Sequence, residues 1–522
     1  MDLLANLATG FSVAFTPTNL VFVTIGVVAG TLVGALPGIG PVGGIAMLLP
    51  LAYGMPPVTA MILMAGVYYG TMFGGSITSV LVGLPGEASN IPTCIDGYEM
   101  AKQGRAGQAL TISALASFVA GTFSVVLLTV AAPPIARWAL SFGPPEYFAL
   151  MLLGLTCVSG LMGDNKLRGY MMAFLGLMLS LIGYDMITGA QRFTFGLLEL
   201  ADGIKFLPVA VGMFGLAEVL MTLERLGTYR VIGTKLREMV VSLRDIRDAA
   251  PATLRGSVIG FVIGVLPGAG GAVASLLSYV TERRLTRHPE RFGKGDIAAV
   301  AGPGAADNGS TGGSMIPMLT LGIPGSATTA VMMGALTLFN IQPGPFLFAK
   351  NPEFVWGLIA SMYIGNGMLL VLNILFVPVF VSALRIPFTI LAPLIILFAI
   401  IGVYSVSASM LDLWVLLFFG ALGYLFKKLD YPAAPLVLAF VLGNGLETAL
   451  RQSMMISRGD MSIFFLRPIS GTLMVIVALV IAWPLVRHLL PGRARRAAAA
   501  VSLPMPPSHA RSEPRPGTGG QL

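Results

Sequence analysis

A run of small and polar residues, Gly302–Ser314, lies between two strongly apolar segments of the chain. Within it, Asp307, Asn308 and Ser310 supply carboxylate, amide and hydroxyl oxygens, which suit Na⁺ or the hydroxyl groups of a substrate. Polar groups at membrane depth are unfavourable and usually face an interior pathway. We therefore predict a coupling-ion site at these three residues. The alternative is an extramembrane loop with a surface aspartate.

Pro-Gly pairs interrupt the apolar segments at four places, at residues 37–38, 85–86, 267–268 and 324–325. Proline removes a backbone donor and glycine accepts unusual backbone angles, so such breaks leave helix-end N–H and C=O groups unpaired. Because N-terminal helix ends favour anions, we predict a substrate site at the breaks and the polar residues beside them. Its members are Gly38, Gly40, Ser76, Thr78, Gly86, Asn90, Gly268, Gly270, Ser314, Gly325 and Ser326. The alternatives are that the glycines only allow close helix packing and that each hydroxyl bonds back to its own helix.

The elements that carry these residues are predicted to be membrane helices. Of the 522 residues, 55% are hydrophobic and only 11% are Asp, Glu, Lys or Arg, whereas an average soluble domain is about 25% charged. Apolar runs recur along the chain, and frequent glycine and proline indicate interrupted helices. Since each crossing needs roughly 20 apolar residues, we predict an all-α polytopic membrane protein with about 10–12 segments in the lipid bilayer. Neither a soluble enzyme nor a β-barrel fits these runs.

The chain contains an internal duplication. GTLVGALPGIG at Gly30–Gly40 matches GFVIGVLPGAG at Gly260–Gly270, and GGSITSVLVGLPG at Gly74–Gly86 matches GGSMIPMLTLGIPG at Gly312–Gly325. The first copy begins in a segment without Lys or Arg, whereas the second follows the most basic loop. This pattern is typical of inverted repeats in secondary transporters. We predict two inverted repeats that contain broken helices and re-entrant hairpins.

Basic residues orient the chain and divide it. No Lys or Arg precedes Lys102, and later basic clusters lie in short loops, so the positive-inside rule predicts an outward amino terminus and a cytoplasmic carboxy terminus. The apolar stretch between Arg255 and Arg283 has basic residues at both ends, which favours a re-entrant hairpin over an ordinary kinked span. The predicted divisions are a first half at 1–223 with motifs at 30–44 and 74–93, a basic cytoplasmic loop at 224–255, a second half at 256–490 with motifs at 260–275 and 302–329, and a disordered cytoplasmic tail at 491–522.

Several kinds of chemistry are excluded. His288, His488 and His509 lie in a basic loop, at a helix end and in the tail, and the chain has no HExxH or GxxxxGK[ST] motif, so we predict that it is not an enzyme. Cys94 and Cys157 are far apart in sequence, which argues against a disulfide framework or a cysteine metal site. No cofactor is predicted beyond a coupling Na⁺ or H⁺. The net charge of +8 comes from short loops and marks topology, not nucleic-acid binding.

Four long motifs resemble the large permease subunit of the tripartite tricarboxylate transporter family. They are LPGIGPVGG (Leu36–Gly44), YYGTMFGGSITSVLVGLPGE (Tyr68–Glu87), DGYEMAKQGRAGQAL (Asp96–Leu110) and the run Gly304–Ser326. The resemblance extends over roughly residues 1–490 and implies a multi-pass protein of the bacterial inner membrane. In that membrane, the outward amino terminus predicted from the basic residues would be periplasmic. The resemblance also implies a small membrane subunit, a periplasmic solute-binding protein and an organic carboxylate substrate as partners.

The resulting functional prediction is a permease that imports tricarboxylates or related organic carboxylates by alternating access, driven by a Na⁺ or H⁺ gradient. An ion or solute channel that uses the same broken helices is one alternative. A membrane scaffold that transports nothing is another. The sequence leaves open which carboxylate is carried, which ion is coupled, the oligomeric state and whether the motion resembles an elevator.

Overall fold

The computed structural model describes residues 3–36, 38–161, 166–185, 188–224, 232–233, 236–383 and 388–489. Over these ranges the chain is almost entirely helical, and its strands are the antiparallel pair β1 (Gly183–Tyr184) and β2 (Gln191–Arg192). The predicted all-α polytopic fold is therefore confirmed. The predicted tail at 491–522, part of the predicted basic loop and Pro37 lie outside the described residues.

The helices divide into a first and a second half. The first half contains α1 (Leu3–Ala14), α2 (Pro17–Ala35), α3 (Gly40–Ala52), α4 (Pro57–Val82), α5 (Ile91–Lys102), α6 (Ala106–Ala139), α7 (Pro144–Leu161), α8 (Lys166–Ser180), α9 (Phe206–Ala210) and α10 (Ala217–Glu224), with π-helical turns at Val211–Leu216 between the last two. The second half contains α11 (Leu243–Val265), α12 (Gly270–Leu285), α13 (Ile297–Leu321), α14 (Ala327–Leu338), α15 (Pro345–Lys350), α16 (Pro352–Leu375), α17 (Val377–Ala383), α18 (Phe388–Ser407), α19 (Met410–Lys428), α20 (Ala433–Ile456), α21 (Ile463–Leu466) and α22 (Pro468–Leu489). Short 3₁₀ turns lie at Ala88–Asn90, Leu198–Leu200, Leu236–Met239 and Pro289–Arg291.

Eight helices of the described ranges are long and apolar enough to cross a bilayer. They are α2, α4, α6, the continuous helix Phe206–Glu224, α16, α18, α19 and α20. Shorter apolar helices accompany them at α1, α3, α14 and Pro468–Ala482. The chain is thus a multi-pass membrane protein, and the prediction of about 10–12 segments, some of them short or broken, agrees with this division.

The two duplicated blocks fold into equivalent helical units. In the first, α2 ends at Ala35 and α3 begins at Gly40, and α4 ends in a turn that leads to α5. In the second, α11 is broken at residues 266–269 before α12, and α13 ends in a turn that leads to α14. Both α4 and α13 end at a left-handed glycine, Gly83 with φ +74° and Gly322 with φ +71°. The shared sequence therefore produces the same order of breaks in both halves.

Glycines at four-residue spacing bring the first two long helices of each unit into backbone contact. A Cβ at any of these positions would lie 2.1–2.6 Å from a carbonyl oxygen of the facing helix, so only glycine permits the observed approach of α2 to α4 and of α11 to α13. The six positions are Gly26, Gly30, Gly34, Gly256, Gly260 and Gly264. Close packing is thus one role of the duplicated glycines.

The arms of the second broken element, α11 and α12, form an antiparallel hairpin. Arg255, ten residues before the end of α11, donates from Nε and Nη2 to the two carboxylate oxygens of Glu282 near the end of α12, at 2.7 and 2.6 Å. This pairing places both flanks at one end, as the hairpin prediction requires. Helix α11 begins at Leu243, inside the segment predicted as a loop, because Ser242 and Asp245 form a capping box there.

The buried helices of the two units are α4 and α13. Nearly every residue of each is shielded by protein, including the polar run in α13. That run was expected to be either a membrane segment or an extramembrane loop, and it is the interior of a helix. Helices disfavour glycine by about 1 kcal/mol per residue, and here close neighbours compensate, since Gly309 and Gly313 pack against the backbone of α11.

Candidate functional site

The two helix breaks have the same backbone conformation. Gly38 and Gly40 have φ values of +92° and +62°, and their counterparts Gly268 and Gly270 have φ values of +81° and +61°. A side chain would be strained at such angles, so these four predicted site residues are the ones that allow the chain to reverse. The new helices α3 and α12 then begin at Gly40 and Gly270, and their first backbone N–H groups have no partner within the helix.

A backbone N–H group in each break donates an equivalent hydrogen bond to the second Pro-Gly turn of its unit. The backbone N–H of Gly38 donates to the carbonyl oxygen of Gly86 at 3.0 Å, and that of Gly268 donates to the carbonyl oxygen of Gly325 at 3.0 Å. These bonds satisfy two of the groups that the breaks expose. The structure therefore brings the first and second predicted motifs of each repeat together.

Gly86 and Gly325 have no space for a side chain. A Cβ on Gly86 would lie 2.6 Å from the Cα of Gly75, and one on Gly325 would lie 2.6 Å from the Cα of Ser314. Each turn is thus wedged between the broken helix and the buried helix of its own unit. Substrate contact at these two positions would be through the backbone.

Tyr68 joins the two units at their centre. Its hydroxyl, on α4, lies 3.1 Å from the hydroxyls of both Ser314 on α13 and Ser326 at the start of α14, and the residue is 1% exposed. Ser326 also caps α14 by accepting from the backbone N–H of Thr329. Two of the predicted substrate residues therefore meet a tyrosine of the other repeat.

Two carboxylates approach this centre from opposite units. Glu87, after the second Pro-Gly turn, accepts a 2.6 Å hydrogen bond from the hydroxyl of Ser89. Asp307 on α13 lies beside Ser89, since both side chains surround the position of a Cβ on Gly271. Its Oδ1 atom is buried and has no hydrogen-bond partner. The centre therefore contains a carboxyl group from each unit.

The other predicted hydroxyl and amide residues of the first repeat make short local contacts. Thr78 donates to the carbonyl oxygen of Ala35 at 2.5 Å and so satisfies the last residue of α2, while Ser76 donates to the carbonyl oxygen of Phe73 on its own helix. Asn90 is buried and packs its amide against Gly75.

The three predicted ion-site residues do not share one direction. Ser310 lies one helical turn after Asp307 and donates to its carbonyl oxygen at 2.7 Å, so the two lie on the same side of α13. The amide of Asn308 instead donates to Ser117 of α6 at 2.8 Å. Neighbouring residues on a helix point about 100° apart, and Asn308 accordingly faces α6. Its Oδ1 atom is also buried without a partner.

Sequence reasoning missed Tyr68, Glu87 and Ser89 as members of the centre. The available signal for Glu87 was that it is the acidic residue directly after a duplicated Pro-Gly turn. It also missed Glu218, whose Oε1 lies 3.5 Å from the position of a Cβ on Gly38 and which pairs with Lys427. The first break thus has a partly buried ion pair beside it, on elements outside the duplicated motifs.

A separate cleft of about 560 Å³ lies at the C-terminal end of α13. Tyr147, Gln342 and Asn444 contribute hydroxyl and amide groups to its wall, and Leu321 and Gly322 form part of its base. None of the predicted site residues lines it. The size of the cleft is within the range of small-molecule sites.

Comparison with known proteins identifies the family. Residues 20–438 match the model described as the tripartite tricarboxylate transporter TctA family. The chain belongs to this family. It is also 46% identical over 476 residues to an uncharacterized 52.8 kDa protein in the TAR-I ttuC' 3'region of Agrobacterium vitis, covering 91% of this chain and 95% of that protein. A second relative, an uncharacterized protein in the TAR-II ttuC' 3'region of the same organism, is 44% identical over 215 residues, covering 41% of this chain and 89% of that protein.

No solved structure matches the chain. Membership of the TctA family confirms the resemblance drawn from the four motifs and establishes a tripartite tricarboxylate transporter permease. The family is one of transporters, which agrees with the prediction of a protein that is not an enzyme. The assignment of individual residues to substrate or ion stays a prediction.

Proposed function

We propose that this TctA-family chain is the permease of a secondary transporter that imports tricarboxylates or related organic carboxylates across the bacterial inner membrane. A periplasmic solute-binding protein would deliver the substrate, and a small membrane subunit would complete the complex. A Na⁺ or H⁺ gradient would drive uptake by alternating access. The amino terminus would be periplasmic and the carboxy terminus cytoplasmic.

The observation that carries this proposal is the pair of equivalent helix breaks. The bonds from Gly38 to Gly86 and from Gly268 to Gly325 have the same donor, acceptor and length in the two units. Broken helices at matching positions of two repeats are the arrangement in which transporters bind substrates and coupling ions near the membrane centre. Backbone groups and small hydroxyl residues, not basic side chains, would then contact the substrate carboxylates.

Alternating access would use the two units as one body. Tyr68 connects the buried helix of the first unit to Ser314 and Ser326 of the second, so both breaks would move together. The candidate scaffold for this motion is formed by helices outside the duplicated blocks, such as α19, whose Lys427 pairs with Glu218 beside the first break. Motion at this contact would change access to the break.

The test is uptake of labelled citrate and a panel of other tricarboxylates and dicarboxylates into proteoliposomes. The vesicles would contain this chain with its small membrane subunit, and the cognate binding protein would be added outside. Inward Na⁺, inward H⁺ and no gradient would be compared. Accumulation above the external concentration that an ionophore abolishes is the expected result.

Two other results would contradict the proposal and favour one of the alternatives. Flux that only equilibrates the solute, with no response to either gradient, would indicate a channel. Complete absence of flux for the whole panel in a correctly assembled complex would favour a non-transporting scaffold. As a matched pair, Ser326→Ala should raise the KM for uptake several-fold, whereas Ser405→Ala on an exposed face of α18 should leave it unchanged.

A further inference from the structure

The N-terminal end of α12 is surrounded by polar side chains from both repeats. Three atoms lie around the point where a Cβ on Gly271 would be: Oδ1 of Asp307 at 2.5 Å, Oγ of Ser310 at 3.2 Å and Cβ of Ser89 at 3.4 Å. Only a glycine leaves room for them. Ser89 belongs to the first repeat, whereas Asp307 and Ser310 belong to the second.

Ser89 links this group of atoms to a second carboxylate. Its hydroxyl donates to Oε1 of Glu87 at 2.6 Å, and Oε2 of Glu87 lies 3.7 Å from the position of a Cβ on Gly40, the first residue of α3. Each of the two helices that begin at a break therefore has a carboxylate beside its first turn. The arrangement is repeated across the two units, although Glu87 and Asp307 occupy different positions in the repeat.

Neither carboxyl group of this set is paired with a basic side chain. No ion pair of the described residues involves Glu87 or Asp307. Asp307 is 2% exposed and Ser89 is 4% exposed, and Oδ1 of Asp307 has no hydrogen-bond partner. A buried ionised carboxylate without a partner is highly unfavourable, because burial removes its hydration. The unpartnered Oδ1 atom is therefore suited to bind a cation.

We propose that Glu87, Ser89, Asp307 and Ser310 bind one Na⁺ between the two repeats. The carboxylate and hydroxyl oxygens are hard donors of the kind that such cations prefer, and the two carboxylates offset the partial positive charge of the helix starts at Gly40 and Gly270. This inference rests on the proposed function in that it assigns the coupling ion of the same centre. It adds Glu87 and Ser89 to the predicted ion site and omits Asn308, whose amide faces α6.

The site also provides a reason for coupling. A tricarboxylate that approaches the breaks meets two protein carboxylates, so its binding is opposed until a cation reduces their charge. Because binding linkage is reciprocal, Na⁺ that strengthens substrate binding is itself bound more tightly in the presence of substrate. A gradient of the cation would then drive uptake of the substrate through this one centre.

The experiment is a Na⁺ titration of the purified complex without substrate. Binding is measured by isothermal titration calorimetry in a choline buffer. We expect one saturable event in the wild-type complex and at least about tenfold weaker Na⁺ affinity in Glu87→Gln and Asp307→Asn, which corresponds to about 1.4 kcal/mol. Asp248→Asn, which removes the same charge from an exposed position of α11, is the matched control and should titrate as wild type.

Variants that retain both carboxylates distinguish the loss of a Na⁺ ligand from the loss of the fold. Ser89→Ala and Ser310→Ala should fold and should weaken Na⁺ binding several-fold. No saturable event in the wild-type complex, or unchanged Na⁺ affinity in both carboxylate variants, would overturn the proposal. Since no substrate or gradient is used, Na⁺ binding that depends on these residues would support the site even if the uptake assay failed.

Discussion

The hydroxyl of Tyr68 lies 3.1 Å from the hydroxyl of Ser314, although the two residues are 246 positions apart. This contact joins α4 to α13, the buried helices of the two duplicated units. The Pro-Gly breaks, the second turns and the two carboxylates all lie on elements that these helices support. The contact is therefore the most direct test of whether the two units act as one centre.

Replacing Tyr68 with Phe is expected to destabilise the complex by about 1–2 kcal/mol, because two buried serine hydroxyls lose a partner. Thermal unfolding in detergent measures the change, and uptake kinetics should show a higher KM. Tyr404→Phe, at an exposed position of α18, is the control that should change neither quantity. Equal behaviour of the two variants would contradict a joining role for Tyr68.

Adding a methyl group at Gly260 is expected to prevent assembly of the second unit. A Cβ there would lie 2.2 Å from the carbonyl oxygen of Ala306, and backbone cannot yield as a side-chain end can. Gly367→Ala on α16, where nothing lies within 4 Å, should be neutral or stabilising by up to about 1 kcal/mol through helix propensity. Yield of monodisperse protein in gel filtration distinguishes them, and normal yield of Gly260→Ala would refute the close approach.

The ion pair at the base of the hairpin is expected to stabilise it by about 2 kcal/mol, since both hydrogen bonds carry charge and Glu282 is buried. Arg255→Gln and Glu282→Gln should each lower the unfolding temperature. The double variant should lose less than the sum of the single losses. Strict additivity in this double-mutant cycle would show that the two side chains do not interact.

Asp96 is expected to attach the middle of α5 to the loop that follows α12. Its carboxylate accepts from the backbone N–H groups of Gly293, Gly295 and Asp296 at 2.9–3.0 Å and from the hydroxyl of Tyr279 at 2.9 Å. Asp96→Ala should lower the free energy of unfolding by about 2 kcal/mol, because the donors lose their partner. Asp96→Asn, which keeps one acceptor oxygen, should lose less; no loss in either variant would contradict this role.

Labelling from one side of the membrane should reveal the inverted arrangement of the repeats. Gly54 and His288 are exposed residues that follow α3 and α12, the second arms of the two broken elements. In a background without Cys94 and Cys157, Gly54→Cys should react with a membrane-impermeant maleimide on intact cells. His288→Cys should react only after permeabilisation. Reaction of both from the same side would exclude inversion.

The class of protein and the order of its elements were predictable from the sequence, because they depend on composition and on short local patterns. Apolar runs predict membrane helices, and the repeated Leu-Pro-Gly motif predicts a break within each unit. The four matched motifs were sufficient to predict the family. Each of these signals is contained in a window of a few tens of residues.

The helical conformation of Gly302–Ser314 was harder to predict from the sequence. Its many glycines and its proline disfavour a helix locally, and the compensation comes from helices α6 and α11, which are distant in sequence. Without the helical phase, the different directions of Asp307 and Asn308 could not be known. The predicted ion site therefore combined Asp307 with a neighbour that faces α6.

The sequence by itself determined a duplicated, all-α membrane permease of the TctA family, since hydropathy, glycine spacing and family motifs are properties of the chain read in order. Only the tertiary structure decided which polar groups meet. Tyr68 meets Ser314 and Ser326, and Ser89 lies between the carboxylates of Glu87 and Asp307, because two units packed through bare glycine backbones bring residues together that are more than 200 positions apart. Such contacts depend on the packing of whole helices, which no local pattern specifies.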